Sequence, residues 1–572
     1  MTVAQSGAGR SAFSSVAALA MRWPLATLSL LCLLAWLPGF FSLPPLDRDE
    51  SRFAQASKQM IETGNYIDIR YNSGPRYNKP VGIYWLQAAS TRLFGRPPYD
   101  AIWTYRVPSL LGALIAVFLA YWCMRALAPP PIAMMAAALI GFTVSLTAET
   151  KIAKTDAVLL AAILGSQGLL LRAYLAARLS DTPPNIWVAL GGWFALAVGI
   201  LVKGPLILAV LGVTVVAVSL WDRDWVWLRG IHWLPGIVLT ALVVLPWFIA
   251  IAYASHGAFY EQALGHDFAQ KVMGGQESHG APPGYYLLLA SLTLWPATLF
   301  ALPGIGSAIA RRKEPALRYL IAWLGAAWLM FEIAPTKLPH YILPAYPAIA
   351  FMAALWAMRD ADPVEPRWAR ILRYVAAAQF LAGVAALTLA PVYALRRFGS
   401  GVDPVIVAGL TAGALAGLVA AILLLTRRTI FAAFSAGLAA LLFYAVILCA
   451  VAPRLDQIWI SPRAAAMVAK DRFPDDPPVV LAGYVEPSLT FLLGTDTQIG
   501  TGKTAAVIAA QQGGLALVED GQRKQFLTRI GELAAIAKPV DEMRGYSYSH
   551  GAPQHLTLYR VTPAAQITEP PA

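Results

Sequence analysis

Stretches of about 20 consecutive apolar residues recur along most of this chain and leave it few folds to adopt. A helix needs about that length, at 1.5 Å per residue, to cross about 30 Å of hydrocarbon. Such windows lie near residues 24–43, 107–127, 131–148, 155–177, 186–202, 205–221, 233–253, 286–309, 315–334, 341–358, 371–394, 404–426 and 429–452. In lipid every backbone polar group must be satisfied within the segment, which a helix does by itself. The pattern therefore predicts a polytopic α-helical membrane protein with about 13 transmembrane helices. Charged residues make up only 13% of the chain, about half the share of a soluble protein.

Orientation follows from the basic residues. Arg10 and Arg22 precede the first window and no small-residue cleavage site follows it, so it reads as a retained signal-anchor. With the N-terminus cytoplasmic, the inner loops carry Arg125, Arg172, Arg178, Arg223, Arg229, Arg311-Arg312-Lys313, Arg359, Arg367, Arg370, Arg373 and Arg427-Arg428. The net charge of +12 is then a consequence of topology, and no nucleic-acid partner is expected. The residues suited to chemistry sort to the other face: Asp47, Asp49, Glu50, Lys79, Glu149, Lys151, Lys154, Asp156, Lys203, His256, His266, Asp267, Lys271, His279, Lys337 and His340.

Two regions are expected. Residues 1–452 form the transmembrane domain, with outer loops at 44–106, 254–285 and 335–340. In the first loop Phe53, Ala56, Met60 and Ile61 fall at helical spacing, and Ile83-Tyr84-Trp85-Leu86 opens a second apolar face, which reads as helices on the membrane surface. Hydropathy falls after residue 452, and residues 453–572 read as a small soluble α/β domain on the outer side. Its strands are expected at 478–484, 515–519 and 555–559, with helices near 503–511 and 522–536. It holds no acid pair like Asp49 and Asp156, so it is expected to support the transmembrane domain and not to do chemistry. Cys32, Cys123 and Cys449 are isolated and imply neither a disulfide framework nor a metal site. Gly502-Lys503-Thr504 looks like the end of a phosphate-binding loop, but Thr497 stands where its first glycine belongs.

Asp47-Arg48-Asp49-Glu50 follows directly on the first apolar window. Three crowded carboxylates favour a raised pKa, a bound cation or a basic partner; an ordinary hydrophilic loop paired with Arg48 and Arg52 is the alternative. Asp156 opens a membrane helix, where a carboxylate is costly unless paired; capping by Thr155 or Asp156 would also explain it. Lys79 and Lys203 stand just ahead of a proline at outer boundaries, placed either to snorkel or to hold an anionic phosphate. His266, His279 and His340 match no metal-ligand spacing, and a divalent cation on Asp49 with a histidine stays one open reading.

Four segments in order carry a resemblance: Asp49-Glu50-Ser51-Arg52-Phe53-Ala54-Gln55, Arg76-Tyr77-Asn78-Lys79-Pro80-Val81-Gly82-Ile83-Tyr84-Trp85, Lys154-Thr155-Asp156, and Lys337-Leu338-Pro339-His340-Tyr341-Ile342-Leu343-Pro344. Together they resemble the polyprenyl-phosphate-sugar-dependent membrane glycosyltransferases, a family that includes the lipid A aminoarabinose transferases and, more distantly, the protein O-mannosyltransferases. The resemblance implies the glycosyltransferase-C fold, a bacterial inner membrane location with a periplasmic C-terminal domain, an undecaprenyl- or other polyprenyl-phosphate sugar donor, and a glycolipid acceptor such as lipid A or lipopolysaccharide core. It places Asp49 and Asp156 at the family's two acidic positions, Glu50 and Arg52 at ion-pair neighbours of the first, and Lys79 near the donor phosphate. Asp49, Asp156 and Glu50 are thus the catalytic candidates, and Lys79, Lys203, Lys271 and Arg52 the candidates for holding the donor phosphate. Asp47, Tyr77, Tyr84, His266, His279, Lys337, His340 and Tyr341 are further candidates. One departure matters: members that transfer aminoarabinose tend to carry Glu where this chain has Asn78. A transporter or flippase of lipid-linked glycans is the competing class, for which mid-membrane charges and internal repeats would be expected.

Overall fold

The computed structural model describes residues 20–263, 281–359 and 365–564. Among the described residues eight helices are long and apolar enough to cross a membrane: Ile102–Met124, Asp156–Leu179, Ile186–Lys203, Trp233–Ala254, Pro315–Ile333, Arg367–Phe398, Pro404–Leu425 and Thr429–Arg454. The other windows hold shorter apolar helices, Pro24–Trp36, Pro130–Gly141, Leu206–Asp222, Thr298–Ala310 and Leu343–Ala357. Every expected window is helical, but five of those helices fall short of the expected length. Some of the shortening has a local cause. Pro296 has no N–H to give a helical ladder, and the expected 286–309 helix is two, Tyr285–Thr293 and Thr298–Ala310. Past Gly141, the hydroxyl of Thr143 accepts from the Leu146 amide at 3.3 Å and starts a separate short helix, Val144–Glu149.

The first loop folds into the helix Asp49–Thr63, a small hairpin of β1 (Arg70–Tyr71) and β2 (Gly74–Pro75), and the helix Gly82–Phe94. The sequence suggested membrane-surface helices. Eleven of the 15 residues of Asp49–Thr63 are buried, polar ones included, because protein covers it on several sides. Gln55 donates to Thr495 at 2.8 Å and Ser57 to Gln87 at 2.8 Å, so its polar face is used up in packing. Only Gly82–Phe94 keeps a lipid-like exposure, through Trp85, Leu86, Leu93 and Phe94.

At the C-terminus β3 (Val480–Ala482), β4 (Gln498–Gly500), β5 (Gly514–Glu519), β6 (Ile536–Ser547) and β7 (Ala552–Thr562) form one sheet in the order β4-β3-β5-β7-β6. The β4-β3-β5 part is parallel and the rest antiparallel. Strict alternation supports both faces: Leu481, Leu515, Leu517, Leu556 and Leu558 pack with Ala464 and Val468, while Val480, Ala516, Val518, Tyr559 and Val561 pack with Ala505, Ala509 and Phe526. This domain docks on the helix Asp49–Thr63. Lys58 Nζ donates to the Phe491 carbonyl at 3.4 Å, and Thr495 to Glu62 at 2.7 Å.

Candidate functional site

The three carboxylates of the first loop have three different surroundings. Glu50 is fully buried and accepts from Nε and Nη2 of Arg106, at 2.8 and 2.9 Å. Its oxygens also accept from the amides of Leu46 at 2.8 Å and Ala153 at 2.9 Å. Arg106 spends its other N–H groups on the carbonyls of Leu43 at 2.8 Å and Pro44 at 2.9 Å. With every donor and acceptor used, this pair staples the start of the loop to the segment before Asp156. Asp47 turns to the C-terminal domain, where its carboxylate accepts from Ser488. Burial pushes the Asp47 carboxyl up to about 6, with Glu486 adding and the Ser488 hydroxyl opposing. Asp49, the first residue of its helix, is exposed. It acts electrostatically on Lys154 and on the Tyr84 phenol.

Asp156 opens the membrane helix Asp156–Leu179 and is buried among cations. Lys203 Nζ lies 2.5 Å from Oδ1, Lys154 Nζ 3.5 Å from Oδ2, and His340 Nε2 3.8 Å from Oδ2. Lys154 also pairs with Glu149 at 3.2 Å. Burial works against the Lys154 ammonium, but Glu149 and Asp156 outweigh it and hold the group above the ordinary lysine range. Burial likewise keeps His340 well below the ordinary histidine range against the pull of Asp156. The imidazole is therefore neutral at pH 7, and its Nδ1 can accept from Lys154 Nζ, 3.1 Å away. Lys203 ends the helix Ile186–Lys203, where a cation complements the helix dipole. Its ammonium also sits 5.3 Å from the Tyr341 ring centre.

Lys203 and Tyr341 form part of the wall of a cavity of about 450 Å³. Asn78, Lys79, Lys203 and Thr336 supply its polar groups; Leu206, Phe248, Phe259, Met330, Phe331 and Ile333 make most of the remainder apolar. The Thr336 hydroxyl is buried with no hydrogen-bond partner among the described residues. A ligand pocket is typically about 300–1,000 Å³, mostly apolar, with a few convergent polar groups. The cavity has that character, and a hydrocarbon chain ending in an anion would match it.

Other sequence candidates lie elsewhere. The buried Tyr77 donates to Asp68 at 2.7 Å and packs on Phe259, while Tyr84 takes a 3.3 Å hydrogen bond from Arg76 and packs on Phe53. Lys337 donates to the Ala281 carbonyl at 2.9 Å. Arg52 lies near Tyr71 and is not part of the cavity wall. His266, Lys271 and His279 fall outside the described residues, so a cation held by Asp49 with one of those histidines does too. Among the described residues no group of three or more His, Cys, Asp or Glu is placed to hold a metal ion. Sequence reasoning did not single out Arg106, Ser488 or Tyr548. A lone arginine in the first turns of a 23-residue apolar helix was the available signal for Arg106; no local signal marks the other two.

Residues 44–257 match the family model of dolichyl-phosphate-mannose-protein mannosyltransferases. The chain is 28% identical over 348 residues to an undecaprenyl phosphate-alpha-4-amino-4-deoxy-L-arabinose arabinosyl transferase of Proteus mirabilis, covering 59% of this chain and 60% of that protein. A transferase of the same name from Pseudomonas paraeruginosa is 28% identical over 375 residues, covering 63% of this chain and 66% of the relative. The chain thus spans a little under two thirds of these curated relatives. The crystal structure of ArnT from Cupriavidus metallidurans in the apo state superposes with a TM-score of 0.70 at 19% identity, over 97% of this chain and 100% of that one. The same protein bound to undecaprenyl phosphate gives 0.70 at 18% identity, over 93% and 97%. The chain is similar in sequence to the aminoarabinose transferases and shares the fold of ArnT.

Proposed function

We propose that the protein transfers a sugar from a polyprenyl-phosphate-linked donor to lipid A, lipopolysaccharide core or a similar envelope glycolipid, at the periplasmic face of a bacterial inner membrane. The observation that carries this reading is the 450 Å³ cavity, an apolar chamber with Lys79 and Lys203 in its wall and the Asp156 carboxylate held behind Lys203. The relatives' undecaprenyl-phosphate donor supports it. The lipid chain occupies the apolar part, and its phosphate meets Lys79 and Lys203. An ammonium has three donors, so Lys203 can keep Asp156 and still donate to phosphate. The unpartnered Thr336 hydroxyl adds a further polar contact.

The acceptor oxygen attacks the anomeric carbon from the face opposite the phosphate, and the bond from that carbon to the phosphate oxygen breaks, inverting the centre. Polyprenyl phosphate leaves with growing negative charge that the two lysines stabilise. Where the acceptor is a hydroxyl, its proton passes to Asp49, an exposed carboxylate free to reach it. Glu50 takes a structural part in this scheme, and Asp156 holds Lys203 in place. Asn78 presents an uncharged amide to the donor, so the aminoarabinose of the relatives is only one of the sugars this site would accept.

Mass spectrometry of lipid A and core from a deletion strain tests the reading. The expected result is loss of one sugar mass, together with release of polyprenyl phosphate when the purified protein meets donor and acceptor. An unchanged glycolipid profile and no release in vitro would overturn it.

A further inference from the structure

The turn that delivers Asp49 is gripped by the C-terminal domain. The Asp47 amide donates to the Tyr548 hydroxyl at 2.7 Å, the Asp47 carboxylate accepts from Ser488, and the Arg48 guanidinium donates to the Ser549 carbonyl at 2.6 Å. Amid these holds, Arg48 sits at φ 62° and ψ −113°, a backbone region that residues with a side chain rarely adopt. Such a conformation persists only where the surroundings over-determine it, and here they do. The grip comes from two separate elements, the turn between β6 and β7 and the first turn of the helix Pro487–Leu493.

We infer that Tyr548 and Ser488 are positioning residues, which hold the Asp47-Arg48 turn in its strained form and thereby aim the Asp49 carboxylate. The inference rests on the reading of Asp49 as the group that takes the acceptor's proton. A base that takes a proton directly must lie within about 2.6–3.2 Å of the oxygen that carries it, so relaxation of Arg48 toward an ordinary φ would carry the first residue of the helix out of range. The donor lysines lie on other segments, and donor binding should not feel the change.

Steady-state transfer by the full-length protein in detergent, with the donor KM and the melting midpoint measured alongside, separates the possibilities. Tyr548→Phe and Ser488→Ala are each expected to lower kcat by about tenfold or more while the donor KM stays within about twofold. Ser488→Thr, which keeps the hydroxyl, is expected to restore most of the rate. Wild-type kcat in both variants, with Asp49→Asn inactive, would overturn the clamp and leave the proposed function standing. A raised donor KM at unchanged kcat would also overturn it, since the domain would then be shaping the donor cavity. Full turnover by Asp49→Asn would remove the reading of Asp49 and the clamp with it. Should Tyr548→Phe fail to fold, the Ser488 pair alone still decides the matter.

Discussion

Asp49 and Glu50 are neighbours in the chain, yet removing one charge from each should have opposite consequences. Glu50→Gln leaves the Arg106 guanidinium buried without its counter-ion, a change that costs about 3–5 kcal/mol in typical buried pairs. Asp49→Asn alters an exposed side chain and should leave the melting midpoint where it is, while turnover falls by about 10²–10⁴-fold, the usual worth of a positioned base. Thermal melts and transfer rates of the two variants side by side would show the split; a stable, inactive Glu50→Gln would reassign that residue to chemistry. Asp47 supplies a pH signature. Its carboxyl is raised to about 6 in the folded protein, so between about pH 4 and 6 the folded state holds a proton that the unfolded chain has lost. Stability from this group is present below that window and lost as pH rises through it. Asp47→Asn should therefore gain on the parent protein from pH 4 to pH 7 in melts, and a constant gap between them would contradict the assignment. The tetrapeptide was legible as three crowded carboxylates close after an apolar window. Its division into three roles was not, since Arg106 lies 56 residues beyond Glu50 and Ser488 lies 441 beyond Asp47.

At the scale of elements, apolar run length and helical spacing located every helical window and the three inner strands of the C-terminal sheet. Two things escaped. The two edge strands, β4 and β6, look like loop: β4 is three residues with none fully buried, and β6 carries exposed positions on both faces. The burial of Asp49–Thr63 depends on a domain more than 400 residues away, so its amphipathic pattern suggested a membrane surface instead. How helices approach one another is also beyond periodicity, and Gly82 shows why it matters. A Cβ there would meet the Leu201 carbonyl oxygen at 2.8 Å and the Val202 amide nitrogen at 3.1 Å. The missing side chain lets Gly82–Phe94 press on the end of Ile186–Lys203, which brings Lys79 and Lys203 to one cavity. Backbone atoms cannot give way, so Gly82→Val should part the two helices and cost about 1–3 kcal/mol. The expected readout is a donor KM raised by about tenfold or more with a smaller fall in kcat. An unchanged KM would mean that the spacing of the two lysines does not set donor affinity.

Across the whole molecule the acidic and basic groups divide between the two ends of the bundle. One end carries Asp49, Asp156, Lys203 and His340 with the C-terminal domain docked beside them. The other ties helix ends through Asp222, which takes hydrogen bonds from Tyr174 and Arg318 and pairs with Arg178 at 3.0 Å; Arg311, Arg312 and Lys313 lie close by in the chain. On the positive-inside rule the second end is the expected cytoplasmic one, and the proposed function needs the first to be periplasmic. Impermeant thiol labelling of single cysteines in intact spheroplasts tests this. The parent should be Cys449→Ser, since Cys449 is exposed while Cys32 and Cys123 are buried. Asn65 in the first loop, Asp520 in the C-terminal domain and Arg312 in the basic segment are all exposed, so a cysteine at any of them can react if the reagent reaches it. Labelling is expected at 65 and 520 and not at 312 until the membrane is opened. Labelling at 312 alone would invert the molecule, placing the donor cavity where nucleotide sugars are available and removing the reason for a lipid-linked donor. Labelling at 65 but not at 520 would separate the domain from the loop on which it is docked, and the clamp on Asp47-Arg48 could not exist.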